Sequence, residues 1–128
     1  MTKKKKKQAY ERVGRKYSIE EVIPYIGNYM KLYDEHLISM KSQRYQVFSK
    51  SCTCVDCGIK GKYFVKERSG NAERFHFNLY GVDKNGEEVL MTKDHIIPKS
   101  KGGKNTIDNY QTMCTKCNTK KGDKVEGE

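Results

Sequence analysis

The apolar positions of the chain change period once, and the change divides it. Tyr29, Tyr33, Leu37, Met40 and Val47 recur at three-, four- and seven-residue steps, which predicts an amphipathic helix over residues 28 to about 49. Ahead of it, Ser18 and Glu21 have the spacing of a capping box, so a short helix is expected to start there, with Pro24 and Gly27 interrupting it within two turns. His36 adjoins the long helix and reads as a packing or surface residue. From Cys52 the texture shifts. A short strand is expected near Lys62 to Lys66, and "ERFHFNLYGV" sets Phe75, Phe77 and Leu79 on one face and His76 on the other, the period of a strand. "DKNG" at 83 to 86 predicts a hairpin turn, because Asn and Gly tolerate positive φ. The following strand should run from about Glu87 towards Ile97 and end at Pro98. "SKGGKNTIDN" reads as loop, with Gly102 and Gly103 free to take positive φ or to let a phosphate backbone come close. "YQTM" is extended, and "CTKCNTKKGDK" suits a short helix from near Thr115 that fades by Gly122.

Composition changes the picture by making this core thin. Only 35% of the residues are hydrophobic, there is no Trp, and 33% are charged, so apolar contacts need help from another source. The five cysteines suggest that source. Cys54-x-x-Cys57 and Cys114-x-x-Cys117 each offer two sulfurs one tight turn apart, a bite suited to two corners of a zinc tetrahedron. Two such pairs make a closed structural Zn²⁺ site, with free buried thiols as the alternative. Cys52 could replace Cys54, but the two-residue gap to Cys57 is the better bite, which leaves Cys52 as a spare, partly exposed thiol. No secretory signal precedes the cysteines and no apolar run approaches bilayer length, so an intracellular, cytoplasmic protein is expected, a phage protein acting in its host among the options.

Charge points to a partner. Of the net +10, half comes from Lys3 to Lys7 and half from residues 93 to 124, where eight basic residues meet three acidic ones. Residues 1 to 17 are expected to be a basic disordered arm. The second basic segment carries both the later cysteine pair and Asp94-His95, so a polyanion, nucleic acid above all, is the expected substrate. A four-sulfur zinc has no open position, and the chemistry must lie elsewhere. The zinc clamp would bring Asn118 towards the strand bearing Asp94 and His95. Asp94 and Asn118 then offer hard oxygens suited to Mg²⁺ or Mn²⁺, and His95 a base.

The run "DHIIPKSKGGKNTIDNYQTMCTKCNTKKGDK", with the upstream "CVDC", closely resembles the HNH endonucleases over about residues 52 to 124; residues 1 to 50 carry no part of it. The resemblance implies an α+β fold with a ββα-metal core braced by structural zinc knuckles, to which the residue pattern adds an inserted β-hairpin and a helical N-terminal extension. The expected organisation is a basic arm at 1–17, a helical extension at 18–50, a zinc-braced nuclease domain at 51–124 and a tail at 125–128. It further implies that His95 is the general base, that Asn109 holds the His-bearing loop through backbone hydrogen bonds, and that Asn118 binds a catalytic Mg²⁺ or Mn²⁺ with Asp94. Many members have His at the last position; an amide oxygen there favours hard Mg²⁺. The implied activity is hydrolysis of DNA, double-stranded for preference, to 5′-phosphate and 3′-hydroxyl ends. Lys120 and Lys121 are expected at the scissile or a neighbouring phosphate, and Lys99, Lys101 and Lys104 along the approach. The rival reading is a non-catalytic zinc module that binds nucleic acid, which would have no use for Asn109 or Asn118.

Overall fold

In the computed structural model, which describes residues 10–122, pairing begins earlier than the charge pattern suggests. Tyr10–Ser18 form strand β1, antiparallel to β4 (Gly61–Ser69), so residues 10–17 are an edge strand and not part of a disordered arm. The reason is cross-strand. Arg12 reaches Glu67 at 2.8 Å, Glu11 pairs with Arg68 at 3.0 Å, and Tyr17 turns its ring into the core. The Lys3 to Lys7 run and the expected tail lie outside the described residues.

The capping box forms as expected: Glu21 N–H donates to Ser18 Oγ at 3.2 Å and Ser18 N–H to Glu21 Oε1 at 2.8 Å. It starts a one-turn helix α1 (Ile19–Val22), followed by a 3-10 turn at Ile23–Tyr25 that carries Pro24. The long helix expected over 28 to 49 is absent. In its place stand a hairpin of β2 (Met30–Tyr33) and β3 (His36–Ser39), then helix α2 (Gln43–Lys50) with Ser42 as N-cap. Asp34 takes φ 58° in the turn between the strands, a conformation no helix permits. Tertiary contacts fix the choice. Buried Lys66 donates to the Tyr33 carbonyl at 2.9 Å and lies 2.9 Å from His36 Nδ1, while Tyr33 Oη donates to the Glu21 carbonyl at 2.7 Å. Tyr33 and Ile38 turn inward; Leu32 and Leu37, paired across the hairpin, face out.

Strands β5 (His76–Val82) and β6 (Glu88–His95) enclose the expected turn, in which Asp83 Oδ1 accepts from Asn85 N–H and Glu87 N–H, both at 2.9 Å, and Gly86 has φ 82°. Then come β7 (Tyr110–Cys114) and α3 (Thr115–Lys121), close to the bounds expected from sequence. The result is a mixed α/β architecture: a five-stranded antiparallel sheet in the order β1-β4-β5-β6-β7, the separate hairpin, and three α-helices among the described residues.

One sheet face builds the core. Tyr17, Phe64, Phe77 and Leu79 meet Tyr33 and Ile38 of the hairpin and Tyr45 and Phe48 of α2. Few aliphatics are available, and edge-on aromatic contacts compensate: Tyr33 to Phe77 at 4.8 Å, Tyr17 to Tyr33 at 5.3 Å, Tyr17 to Phe77 at 5.4 Å. The other face buries Glu67, whose carboxylate accepts from Arg12, Asn78 and Tyr80. Strand β6 divides its partners. It pairs with β5 over Glu88–Leu90 and with β7 from Met91 to His95, which carries the sheet on to its last strand.

Candidate active site and metal centre

The four cysteines of the two pairs converge. The Sγ atoms of Cys54, Cys57, Cys114 and Cys117 all lie within 4.8 Å of one another, and Cys57 and Cys114 are 3.8 Å apart. A Zn–S tetrahedron at about 2.3 Å requires sulfurs about 3.8 Å apart, so the cluster fits a metal ion such as zinc. Each pair is a wrapped turn. Cys57 N–H points to Cys54 Sγ and Cys117 N–H to Cys114 Sγ, both at 3.5 Å, and Gly58 closes the first turn with φ 81°. Burial pushes the Cys54 thiol up, but backbone N–H groups of Cys114, Cys57 and Asp56 outweigh it and bring it down to about 7. Burial drives Cys114 and Cys117 the other way, upward. Neighbouring sulfurs this close resist common ionisation unless a cation joins them. Cys52 stands apart, with its Sγ on the Phe48 carbonyl at 3.3 Å.

The first pair is also tied to β7 by hydrogen bonds. Thr112, buried, accepts Val55 N–H on its carbonyl at 3.0 Å and donates its hydroxyl to the Ser51 carbonyl at 2.6 Å. The second pair begins α3, with Cys114 as N-cap, and Thr115 Oγ1 donates to the Leu90 carbonyl at 2.6 Å. These links set α3 against β6. Asn118 Nδ2 then donates to Thr92 Oγ1 at 2.8 Å, and one turn on Lys121 Nζ meets Asp94 Oδ2 at 3.1 Å and the His95 carbonyl at 2.9 Å.

Asp94 and His95 are consecutive in β6 and pair with Gln111 and Tyr110 of β7, so their side chains leave on opposite faces at the strand's end. Asp94 is buried, and its Oδ2 accepts from Gln111 Nε2 at 2.9 Å as well as from Lys121. The His95 ring stands edge-on to Tyr110 at 5.0 Å, with Nε2 2.8 Å from Asn105 Oδ1. An amide oxygen only accepts, so this contact suits the tautomer of the neutral ring with the proton on Nε2 and the lone pair on Nδ1.

Asn109 organises the loop after His95. Its Oδ1 accepts from Ile97 N–H at 2.9 Å, its Nδ2 donates to the carbonyls of Ile97 at 3.0 Å and Lys104 at 2.9 Å, and its own carbonyl takes Ile96 N–H at 2.8 Å. The two glycines serve this fold. Gly102 takes φ 92° after the 3-10 turn Lys99–Lys101, whereas a Cβ on Gly103 would sit 1.7 Å from the Ile97 carbonyl oxygen. The room at Gly103 is used by the chain itself and not by a phosphate. Lys99, Lys101, Lys104 and Lys120 are exposed, and Lys121 is turned inward. Sequence reasoning missed Asn105 and Gln111. Gln111 was findable only from the β6–β7 register, and nothing in the local pattern marks Asn105.

Residues 83–128 match the HNH endonuclease family. The segment carrying β6, β7 and α3 is therefore similar to a family of nucleases, and the resemblance drawn from "DHIIPKSKGGKN" and the residues after it is borne out there. The match begins at Asp83, so the first cysteine pair lies before it. Neither a curated protein nor a solved structure gives a significant match. No helix among the described residues is long and apolar enough to cross a membrane.

Proposed function

We propose that the protein is a divalent-cation-dependent endonuclease that hydrolyses phosphodiester bonds of double-stranded DNA, leaving 5′-phosphate and 3′-hydroxyl ends. What supports it above all is the succession of Asp94 and His95 at the end of β6, within the segment similar to HNH endonucleases, with the Asp94 carboxylate held against α3 by Lys121 and the His95 ring held by Asn105. Neutral His95 accepts a proton from water at Nδ1 while Nε2–H stays on Asn105. The water oxygen bonds to phosphorus, the bond from phosphorus to the 3′ oxygen breaks, and that oxygen is protonated from solvent. Asn109 is a positioning residue, holding the turn that carries His95.

Asp94 and the amide oxygen of Asn118 would hold Mg²⁺ or Mn²⁺, which when bound supplies compensation of the charge developing on the phosphate. Cys54, Cys57, Cys114 and Cys117 would hold zinc in a closed, structural site. Exposed Lys99, Lys101, Lys104 and Lys120 would contact phosphates along the duplex.

The test is plasmid cleavage with Mg²⁺ or Mn²⁺, with and without a chelator, beside His95→Ala. Cation-dependent cleavage lost in the variant is the expected result. Equal DNA binding by both proteins with no cleavage by either, across single- and double-stranded substrates, would leave a nucleic-acid-binding module and overturn the proposal.

A further inference from the structure

A cation of the chain's own already sits against Asp94. The Lys121 ammonium bridges Asp94 Oδ2 at 3.1 Å and the His95 carbonyl at 2.9 Å, and the Lys121 and Asp94 side chains are 12% and 8% exposed. For a residue in the last turn of a helix, this is an inward reach that gives up the hydration and freedom lysine usually keeps. A charge so placed persists only when its partners compensate its lost water. Here the partners are two hard oxygens presented by consecutive residues, the kind of pair a small divalent ion also prefers. Gln111 donates to the same carboxylate oxygen at 2.9 Å and holds it in position from the β7 side.

We propose that Lys121 is a built-in occupant of the cation position. Its ammonium keeps Asp94 and the His95 carbonyl in place when no divalent ion is bound, and the ion must displace it. A duplex phosphate at the strand's end is the natural destination for the displaced ammonium, which is the role the sequence assigned to this lysine. Lys121 thereby couples two ligands: phosphate draws it off Asp94 and strengthens cation binding, and by reciprocity the cation strengthens phosphate binding to the same degree. The free protein would hold divalent ions weakly and the DNA complex tightly. This inference rests on the reading of Asp94 as a cation ligand, and its test separates the two.

The measurement is Mn²⁺ binding to the DNA-free protein, read by the electron paramagnetic resonance of the free ion, for the parent, Lys121→Met, Lys121→Arg and Asp94→Asn. Removing a positive charge adjacent to the site should tighten Mn²⁺ binding by about tenfold or more in Lys121→Met. Lys121→Arg should stay near the parent, and Asp94→Asn should lose the site. If Lys121→Met binds no tighter than the parent while Asp94→Asn loses binding, Lys121 is not a competitor and the inference fails, with the Asp94 reading intact. If Asp94→Asn binds like the parent, the cation does not sit on Asp94 and both readings fall. Should Lys121→Met not fold, Lys121→Gln replaces it with the same two outcomes.

Discussion

Asn105 holds the imidazole of His95 by its outer nitrogen, with Oδ1 2.8 Å from Nε2, and so fixes which ring nitrogen is free to accept a proton. This hydrogen bond orients the ring from one side, and Tyr110 stands edge-on to it at 5.0 Å. Asn105→Ala should lower kcat by about tenfold to a hundredfold with KM little changed, a loss of proton-transfer efficiency and not of binding. Asn105→Asp should move the acid limb of the cleavage profile to higher pH, because a carboxylate favours the imidazolium. A profile unmoved by Asp would reduce Asn105 to a structural role.

The turn behind His95 depends on close fit. Asn109→Ala removes three hydrogen bonds to backbone and should cost about 1–3 kcal/mol of stability together with most of the activity. Gly103→Ala should harm activity at least as much, because the Ile97 carbonyl must move to admit the methyl group. Denaturant titrations and cleavage rates on both variants check this. An active Gly103→Ala protein of parental stability would contradict the loop geometry.

Loss of the four-sulfur cluster should uncouple the site from the rest of the chain. Cys114→Ala, or a strong chelator, should abolish bound metal and the cooperative melting of β6, β7 and α3. Cys52→Ala should leave metal content unchanged. Metal analysis and thermal melts report both. Parental melting and metal content in Cys114→Ala would refute the ligand set.

Acid should destabilise the protein in two stages. Burial and neighbouring Arg44 hold His76 below its ordinary 6.5. Hydrogen bonds from Arg12 lower Glu88, the Glu87 N–H lowers Asp83, and Arg15 lowers Glu21 to about 2. In every case the unfolded chain binds protons more readily than the folded one. The contribution of these four groups is thus full above pH 6.5, falls first as His76 must take a proton, and falls again below the ordinary carboxylate range towards pH 2. The melting temperature across this range should show it, with Glu88→Gln shallower in the acid stage. A melting temperature that rises on acidification would mean that the folded state binds the extra protons instead.

The exposed lysines should act through phosphate charge. Neutralising Lys99, Lys101, Lys104 or Lys120 singly should weaken binding to all duplexes alike and reduce the salt slope by about one for each phosphate no longer neutralised. Binding isotherms at several salt concentrations measure this. A change in sequence preference without a change in slope would mean base contacts instead.

The second half of the fold is legible in the sequence because there local and tertiary signals agree. The strand period at Phe75, Phe77 and Leu79, the turn at "DKNG" and the helix after Cys114 all follow from short-range chemistry. Between residues 28 and 49 they disagree. A helical spacing of apolar residues is overruled by a left-handed Asp34 and by Lys66, far away in the chain, donating to Tyr33. The site divides similarly. Asp94, His95, Asn109, Asn118 and the cysteines stand out as residue types at telling intervals. The grip of Asn105 on His95 and the inward reach of Lys121 depend on how the loop and α3 close over β6, which spacing does not encode.

Strand β6 changes partners at Leu90–Met91, with β5 on one side of that point and β7 on the other. Glu88, at its start, is gripped by Arg12, while its far end is gripped from α3 by Lys121. Mechanically, this single strand is a beam fixed at both ends and shared by two neighbouring strands. Any bending of the beam should then fall near its middle, where Thr115 is bonded to the Leu90 carbonyl.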